Sequence, residues 1–311
     1  MDVIRQAAGA RTGRPAGCCA GKWALVLSGG GARGLAHIGV LKILKLWGLR
    51  PDIVVGTSIG AIVGGAFACG MEPEEMEKFM VEEFDLHKYL DSWIMKLEGG
   101  PFVKIIKIGD AFQSLWRSTA VDSGRKVLKL FRIFTNNKKF SETKIPFACN
   151  AVDLLSGKEV ILDEGRVAEA VRASMALPAF FTPVNYGEML LVDGGLANNA
   201  PVWIAKKKGA KRVLSIMVSK FENVPKQELR NGFDIFLRST EITANALRAR
   251  TRDNRSVLEV LAYDGTEVLD FGRNKELIRV GEEALLARKQ EVMRWFGRKR
   301  FWFPISLRIK S

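Results

Sequence analysis

Apolar residues in the early part of the chain form two short unbroken runs, each followed by a segment with apolar residues at helical spacing. Residues 23–28 and 53–55 predict two buried strands, and residues 35–47 and 61–68 predict the helices that follow them. A third strand is predicted at 211–218. Alternating strands and helices are typical of a mainly parallel sheet with helices on both faces, so the sequence predicts an α/β fold.

Three later segments predict further elements. Residues 145–153 and 158–162 predict two strands joined as a hairpin. Residues 125–134 predict a helix with one apolar face flanked by cations, which either packs on the core or lies in a membrane interface. Residues 276–296 predict one long helix near the C-terminus.

The second strand leads into a glycine-flanked serine, Gly56-Thr57-Ser58-Ile59-Gly60. A strand, a sharp turn and a helix form the nucleophile elbow of serine hydrolases, in which the turn lifts the serine hydroxyl clear of the backbone. Such a turn crowds the positions two before and two after the serine, and glycine avoids the clash there. The pentapeptide therefore predicts that Ser58 is a nucleophile.

The first strand leads into a glycine-rich turn, Gly29-Gly30-Gly31-Ala32-Arg33-Gly34. Glycines before a helix let backbone N–H groups converge on an anion, which in an acyl hydrolase is the oxyanion of the tetrahedral intermediate. The same pattern occurs in dinucleotide-binding proteins, which place an acidic residue at the end of the second strand. Asp52 stands at the start of that strand, and its end carries the serine turn, so the hydrolase interpretation is favoured.

A third block is a strand at 190–193 that ends in a glycine turn, Asp193-Gly194-Gly195. An aspartate in such a turn often serves as a local hydrogen-bond acceptor, but beside the other two motifs we interpret it as catalytic. The two histidines, His37 and His87, both precede Asp193, so the Ser–Asp–His order of an α/β-hydrolase triad is excluded. We predict a structural role for His37 and a partly desolvated carboxylate as the base.

The three blocks together resemble the signature motifs of the patatin-like phospholipases and occur in the family's order. The resemblance covers about residues 23–220, including residues 173–181 before the aspartate strand. It implies a three-layer patatin-like fold with a mainly parallel central sheet, and a Ser–Asp dyad that needs no cofactor. It assigns Ser58 as the nucleophile and Asp193 as its base. It assigns an oxyanion hole to Gly29, Gly30, Gly31, Arg33 and Gly34, and supporting roles to Gly56, Gly60, Gly194 and Gly195.

Length and composition fit one domain with short extensions. The chain has 311 residues, 47% of them hydrophobic, which supports a sizeable core. We predict a disordered tail at 1–21, a hydrolase domain at 22–297 and a basic, aromatic segment at 298–311. The tail lacks the apolar core of a secretory signal peptide, and the four cysteines follow no regular spacing. We therefore expect a cytoplasmic location, with peripheral association with the membrane.

The net charge is +14, which raises the question of an anionic partner. Nucleic acid is not expected, because the chain carries no helix-turn-helix, zinc-finger or RNA-binding signature. From Arg294 to Ser311, six cations are interleaved with aromatic residues and no acidic residue is present, a pattern typical of an anionic membrane interface. We predict that this segment binds such a surface. No metal is expected, because no cluster of acidic, histidine or cysteine residues has ligand spacing.

The sequence therefore predicts a lipid acyl hydrolase that cleaves phospholipid or lysophospholipid esters through an acyl-enzyme on Ser58. A thioesterase or an acyltransferase would use the same dyad and differ only in what accepts the acyl group. A non-catalytic, membrane-associated regulatory module is a third hypothesis, and the intact Ser58, Asp193 and glycine turn argue against it. Head group, acyl position, chain length and oligomeric state are not specified by these patterns.

Overall fold

The computed structural model of the protein describes residues 21–85, 120–229, 232–251, 256–268 and 270–297. The strands within these ranges are β1 (Trp23–Leu27), β2 (Ile53–Gly56), β3 (Ala120–Asp122), β4 (Phe147–Asp153), β5 (Lys158–Leu162), β6 (Ala179–Phe181), β7 (Val184–Tyr186), β8 (Met189–Asp193), β9 (Arg212–Met217) and β10 (Val257–Leu261). The helices are α1 (Ala36–Leu46), α2 (Ile59–Cys69), α3 (Pro73–Lys78), α4 (Arg125–Phe134), α5 (Val167–Ser174), α6 (Val202–Lys207), α7 (Gly232–Thr251), α8 (Asn274–Ala287) and α9 (Lys289–Trp295).

The central sheet has the strand order β10-β9-β1-β2-β4-β8-β7, with β5 paired to β4 beside this path. The strands from β10 to β4 are parallel neighbours, whereas β5, β8 and β7 add antiparallel pairs at one side. The strands β3 and β6 form a separate parallel pair. The predicted α/β fold with a mainly parallel sheet is confirmed, and so is the predicted β4–β5 hairpin.

Helices cover both faces of this sheet, because alternate residues of each strand point to opposite sides. Leu25 and Leu27 of β1 belong to a buried cluster with residues of α1, α2 and α8. Ala24 and Val26, one position out of phase, pack with Ile204 of α6 on the other face. A further buried cluster joins β4 to α2, α4 and α5. The fold is therefore three layers deep, as the sequence predicts.

The helix predicted at 125–134 is α4, and it packs on the core. Val127, Leu130 and Phe131 are buried, while Ile133 is 73% exposed on the outer face together with the cations. Of the two alternatives left open by its pattern, packing on the domain is the one observed for its apolar face.

The prediction of one long helix at 276–296 is wrong. The structure has α8 and α9, separated at Arg288, whose φ of −102° and ψ of 16° lie outside the helical region. The Arg288 guanidinium donates to the main-chain oxygen of Glu259 in β10 and pairs with Glu291. These contacts connect the break to the sheet and direct α9 so that Phe296 packs edge-on against Trp23, with ring centroids 4.8 Å apart.

The same packing changes the prediction for the start of the membrane-binding segment. Phe296 is buried, and the Trp295 ring contacts the Arg212 guanidinium, so both aromatics belong to the domain. Residues 1–20 and 298–311 lie outside the described residues, and the predictions for the two ends of the chain remain predictions. No helix among the described residues is long and apolar enough to span a bilayer.

Candidate active site

Two strands end along the same edge of β4 and bring Ser58 and Asp193 together. β5 pairs with one edge of β4, so β2 and β8 share the other edge. β2 is parallel to β4 and ends at Gly56, opposite Cys149. β8 is antiparallel to β4 and ends at Asp193, opposite Ala151. The two strands therefore approach each other end to end, and the residues that follow them meet in the gap.

Ser58 occupies a strained backbone turn at the start of α2. Its φ of 52° and ψ of −121° lie where L-residues are seldom found, and such a conformation costs about 1–3 kcal/mol. On both sides of Ser58, the backbone comes so close to neighbouring main-chain atoms that only glycine fits. A Cβ atom on Gly56 would lie 2.3 Å from the Gly60 carbonyl oxygen, and one on Gly60 would lie 2.2 Å from the Leu27 carbonyl oxygen. This is the geometry of a nucleophile elbow.

Asp193 is buried beside Ser58. The Gly195 N–H donates to Asp193 Oδ1 at 2.7 Å, and the Asp193 N–H donates to the Ala176 carbonyl oxygen at 3.0 Å. Burial raises the pKa of the Asp193 carboxyl to about 6, while the Gly195 N–H and the neighbouring Ser58 side chain favour its charged form and limit the increase. The carboxyl group therefore titrates at a mildly acidic pH, in the same cavity as the serine side chain.

A buried asparagine on β4, which none of the sequence motifs includes, connects the two turns. The Thr57 hydroxyl donates to Asn150 Oδ1 at 2.7 Å. Asn150 Nδ2 contacts the carbonyl oxygens of Gly194 at 3.2 Å and Asn198 at 2.9 Å. Asn150 stands between the β4 residues that face the ends of β2 and β8. The sequence contains one indication of this role, which is a polar residue inside an otherwise apolar strand. Such a residue needs hydrogen-bond partners once it is buried.

The Asn150 amide also contacts a half-buried carboxyl group. Asn150 Nδ2 lies 2.9 Å from Glu159 Oε1, and the Trp203 indole N–H donates to the same carboxyl group at 3.1 Å. Burial raises the pKa of Glu159, while the two donors oppose the increase. The amide therefore has acceptors in both turns and on β5, which fixes its orientation.

The glycine-rich turn lies on the other side of Ser58, where residues Gly31–Leu35 form a 3₁₀ turn. The Gly29 N–H donates to the Asn199 carbonyl oxygen at 3.1 Å, and the Ala32 N–H donates to the Val268 carbonyl oxygen at 2.7 Å. Between them, the N–H groups of Gly30 and Gly31 have no acceptor among the described residues. These two N–H groups are available to a ligand.

The remaining residues assigned to this turn have different environments. The Arg33 side chain lines the cavity, donates from Nε to the Thr266 carbonyl oxygen at 2.5 Å and lies over the Tyr263 ring. Gly34 packs on Ile59, because a Cβ atom there would lie 2.2 Å from Ile59 Cγ2. Gly34 therefore supports the approach of the turn to α2.

A cavity of about 440 Å³ lies beside the pair and is lined by both Ser58 and Asp193. One wall is apolar and comes from α2, α3, α4, β6 and the turn Phe79–Glu83. The other wall contains polar residues of the glycine turn, of the segments after β8 and β9, and of α7, namely Arg33, Asn199, Ser219, Lys220, Thr240, Glu241 and Asn245. Within the described residues, no three His, Cys, Asp or Glu side chains are grouped as a metal site.

The motifs and their geometry match a known family. The family model described as patatin-like phospholipase matches residues 25–206. The chain belongs to the patatin-like phospholipase family.

Relatives of this patatin-like chain include fungal and bacterial proteins. Lysophospholipase NTE1 of Scheffersomyces stipitis is 28% identical over 298 residues, with 83% of this chain and 17% of the relative covered. The NTE family protein MT2641 of Mycobacterium tuberculosis is 35% identical over 177 residues, with 57% of this chain and 27% of the relative covered. This chain therefore spans less than a third of the length of either relative.

Among solved structures, VipD from Legionella pneumophila has the same fold. It superposes with a TM-score of 0.50 at 14% identity, covering 88% of this chain and 68% of VipD. This likeness concerns the fold alone.

The geometry does not support the dinucleotide alternative. Asp52, the residue that a dinucleotide site would use, accepts a hydrogen bond from the Trp23 N–H at 2.9 Å. Because β1 and β2 are parallel, this contact lies at the end of the strands opposite to the glycine turn. His87 lies outside the described residues.

His37 is fully buried in α1. Its Nε2 lies 2.8 Å from the Ser28 carbonyl oxygen, and burial lowers the pKa of its ring to about 4 despite this contact. His37 does not line the cavity that holds Ser58 and Asp193. A neutral ring bonded to the end of β1 agrees with the predicted structural role.

The Asn150 contacts predict the effect of one conservative change. In Asn150→Asp the acceptor for Thr57 remains, but an oxygen replaces the donor that faces Gly194, Asn198 and Glu159. Because buried acceptors without donors are costly, we expect kcat/KM for a soluble ester to fall at least about tenfold. The measurement is steady-state hydrolysis together with the rate of labelling by a fluorophosphonate.

Asn185→Asp is the matched control, because Asn185 is exposed on the edge strand β7. We expect it to behave like the parent protein in both assays. An Asn150→Asp protein with the parent's kcat/KM would show that the amide does not position the two turns.

Proposed function

We propose that this chain is a lipid acyl hydrolase that cleaves carboxylic esters of phospholipids or lysophospholipids, with Ser58 as nucleophile and Asp193 as base. The observation that carries the proposal is the placement of Ser58, on its strained turn, beside the buried Asp193 carboxyl group, whose pKa is about 6, in one largely apolar cavity. Family membership and relatives named lysophospholipases support the same activity.

The first half-reaction forms an ester bond to the enzyme. Ser58 Oγ attacks the carbonyl carbon while the Asp193 carboxylate accepts the hydroxyl proton. The charge that develops on the carbonyl oxygen is stabilised by the free N–H groups of Gly30 and Gly31, each worth about 3–4 kcal/mol in comparable sites. The tetrahedral intermediate then expels the alcohol, which takes the proton from Asp193, and the acyl group remains on Ser58.

The second half-reaction restores the enzyme. Asp193 accepts a proton from water as the water oxygen attacks the acyl carbonyl carbon, and the same two N–H groups stabilise the second oxyanion. Collapse of this intermediate releases the fatty acid and returns the proton to Ser58 Oγ. A thioesterase would share these steps with a thiol as the leaving group, and an acyltransferase would replace water with another acceptor.

The two walls of the cavity support a lipid as the substrate. An acyl chain gains free energy by leaving water for the apolar wall, at about 0.8 kcal/mol for each buried CH₂ group. The polar wall, with Lys220 and Arg33, suits the glycerol and phosphate portion of the same molecule. A purely regulatory module has no need of a strained serine turn or of a buried carboxyl group, and both cost folding free energy.

We further propose that the basic C-terminal segment binds an anionic membrane surface, which makes the association peripheral. Five of the six cations from Arg294 to Ser311 follow Gly297, and so do three aromatic residues. Trp295 and Phe296 pack on the domain and are not part of this surface. The proposal therefore applies to residues 298–311.

Removal of the nucleophile tests the reaction. Ser58→Ala deletes one oxygen at the elbow, and we expect at least about a 10³-fold loss of ester hydrolysis and complete loss of fluorophosphonate labelling. Circular dichroism should be unchanged. Ser141→Ala, at an exposed serine, is the control and should be labelled like the parent protein. Hydrolysis or labelling that persists in folded Ser58→Ala would disprove the nucleophile assignment.

The pKa of Asp193 predicts the pH dependence. A base must be ionised to accept the serine proton, so kcat/KM should be constant above pH 7 and fall as the pH is lowered through about 6. His37, with a pKa of about 4, contributes nothing in this range. The measurement is kcat/KM for a soluble, non-titrating ester between about pH 4.5 and pH 9. A profile that stays flat down to pH 5 would contradict the assignment of Asp193 as the base.

Truncation after Gly297 tests the membrane segment. It leaves α9 and Phe296 in place, so we expect an unchanged melting temperature and unchanged hydrolysis of a soluble short-chain ester. Binding to vesicles that contain an anionic phospholipid should fall, because each cation near such a surface contributes about 1 kcal/mol. Equal binding by the truncated and full chains would rule out this role for residues 298–311.

A further inference from the structure

The cavity follows one face of α2 away from the reactive serine. Ser58, Ile59, Ile62, Val63 and Ala66 all line it. These positions recur at helical spacing and form a single stripe. With a rise of 1.5 Å per residue, the stripe extends for about 12 Å from Ser58 to Ala66. The apolar wall is therefore a channel with the nucleophile at one end.

The lining at the other end of the channel combines one small side chain with two large ones. Ala66 belongs to the same buried cluster as Met76 of α3 and Met80 of the following turn, and all three line the cavity. The exposed fractions are 1% for Ala66, 5% for Met76 and 9% for Met80. The Asn274 side-chain amide of α8 donates to the Met80 carbonyl oxygen at 2.7 Å, which fixes this part of the wall.

From this arrangement we infer that Ala66 and Met80 determine the length of acyl chain that the enzyme accepts. This inference rests on the proposed function. The acyl carbon lies at Ser58, the chain runs along α2, and its methyl end contacts Ala66 and Met80. The small side chain at position 66 leaves the far end of the channel open to the last methylene groups of a long chain. Each methylene group that is buried there raises kcat/KM about fourfold.

Opposite substitutions at the two positions should shift the preference in opposite directions. Ala66→Leu adds three carbon atoms at the end of the channel, and we expect kcat/KM for the longest ester to fall at least about tenfold while that for the butyrate ester stays within about twofold. Met80→Ala removes three heavy atoms from the same end, so the optimum should move to longer chains. Ala66→Val should lower kcat/KM for the longest ester in the same way as Ala66→Leu, but by a smaller factor.

The experiment measures kcat/KM for p-nitrophenyl esters from butyrate to palmitate at a fixed detergent composition, with melting temperatures for each variant. Ala287→Leu is the matched control, because it makes the same change at an exposed alanine at the end of α8. It should keep the parent profile. If Ala66→Leu fails to fold, the chain-length profiles of Ala66→Val and Met80→Ala still show whether these two positions set the preference.

The outcomes separate this inference from the proposed function. If the parent protein hydrolyses no ester and Ser58 is not labelled, the proposed function fails. A second result is an active parent protein whose variants keep its chain-length profile or lose activity equally at every length. In that case the role inferred for Ala66 and Met80 is wrong, and the proposed hydrolase function is retained. A shift of the optimum in opposite directions supports the inference.

Discussion

The end-to-end meeting of β2 and β8 along one edge of β4 is the constraint on which the site depends. Neither strand can shift along β4 without changing the distance between Ser58 and Asp193. This is because Ser58 follows the end of β2, and Asp193 is the last residue of β8. Asn150 lies in the gap, accepting from Thr57 after the first strand and facing the Gly194 carbonyl oxygen after the second. Since backbone pairing fixes the distance between the turns and the amide fixes their orientation, the serine and the carboxyl group are held together before any substrate binds. In the proposed acyl transfer, such preorganisation would lower the barrier.

Two features of the site oppose folding, and the proposed mechanism uses both of them. Ser58 has a backbone conformation that costs about 1–3 kcal/mol. Burial raises the pKa of Asp193 from 3.8 to about 6, so ionisation at neutral pH favours the unfolded chain by roughly 3 kcal/mol. The sign follows from the direction of the shift. A carboxyl group with a raised pKa in the folded state adds stability as the pH falls from above 6 towards 4, where the protonated form could not act as the proposed base. The expected activity and the stability contributed by this group therefore change in opposite directions over the same pH range.

Local sequence was sufficient for some of these features and not for others. The buried strands, the helices after β1 and β2 and the three glycine-containing turns could be predicted, because a strand followed by a crowded turn leaves a pattern among adjacent residues. The break at Arg288 and the role of Asn150 could not, since each depends on a partner distant in the chain. Arg288 bonds to Glu259 on a strand, and Asn150 bonds to groups that follow two other strands. For the same reason, the sequence could not predict whether the apolar face of α4 packs on the core or lies in a membrane. Such a face fits both environments equally well until the neighbouring helices are known.

The part of the chain after the matched family region completes the site. The patatin-like match ends at residue 206, yet β9 is the parallel neighbour of β1 and pairs along its whole length. Farther on, the Val268 carbonyl oxygen accepts from the Ala32 N–H, and the Thr266 carbonyl oxygen accepts from Arg33. These contacts orient the glycine turn and leave the N–H groups of Gly30 and Gly31 free to face a ligand. A chain that ended at residue 206 would contain all three motifs but would expose an edge of β1 and lose the acceptors that shape the turn. Possession of the motifs is therefore insufficient, and the conformation of the glycine turn depends on the segment from β9 to residue 268.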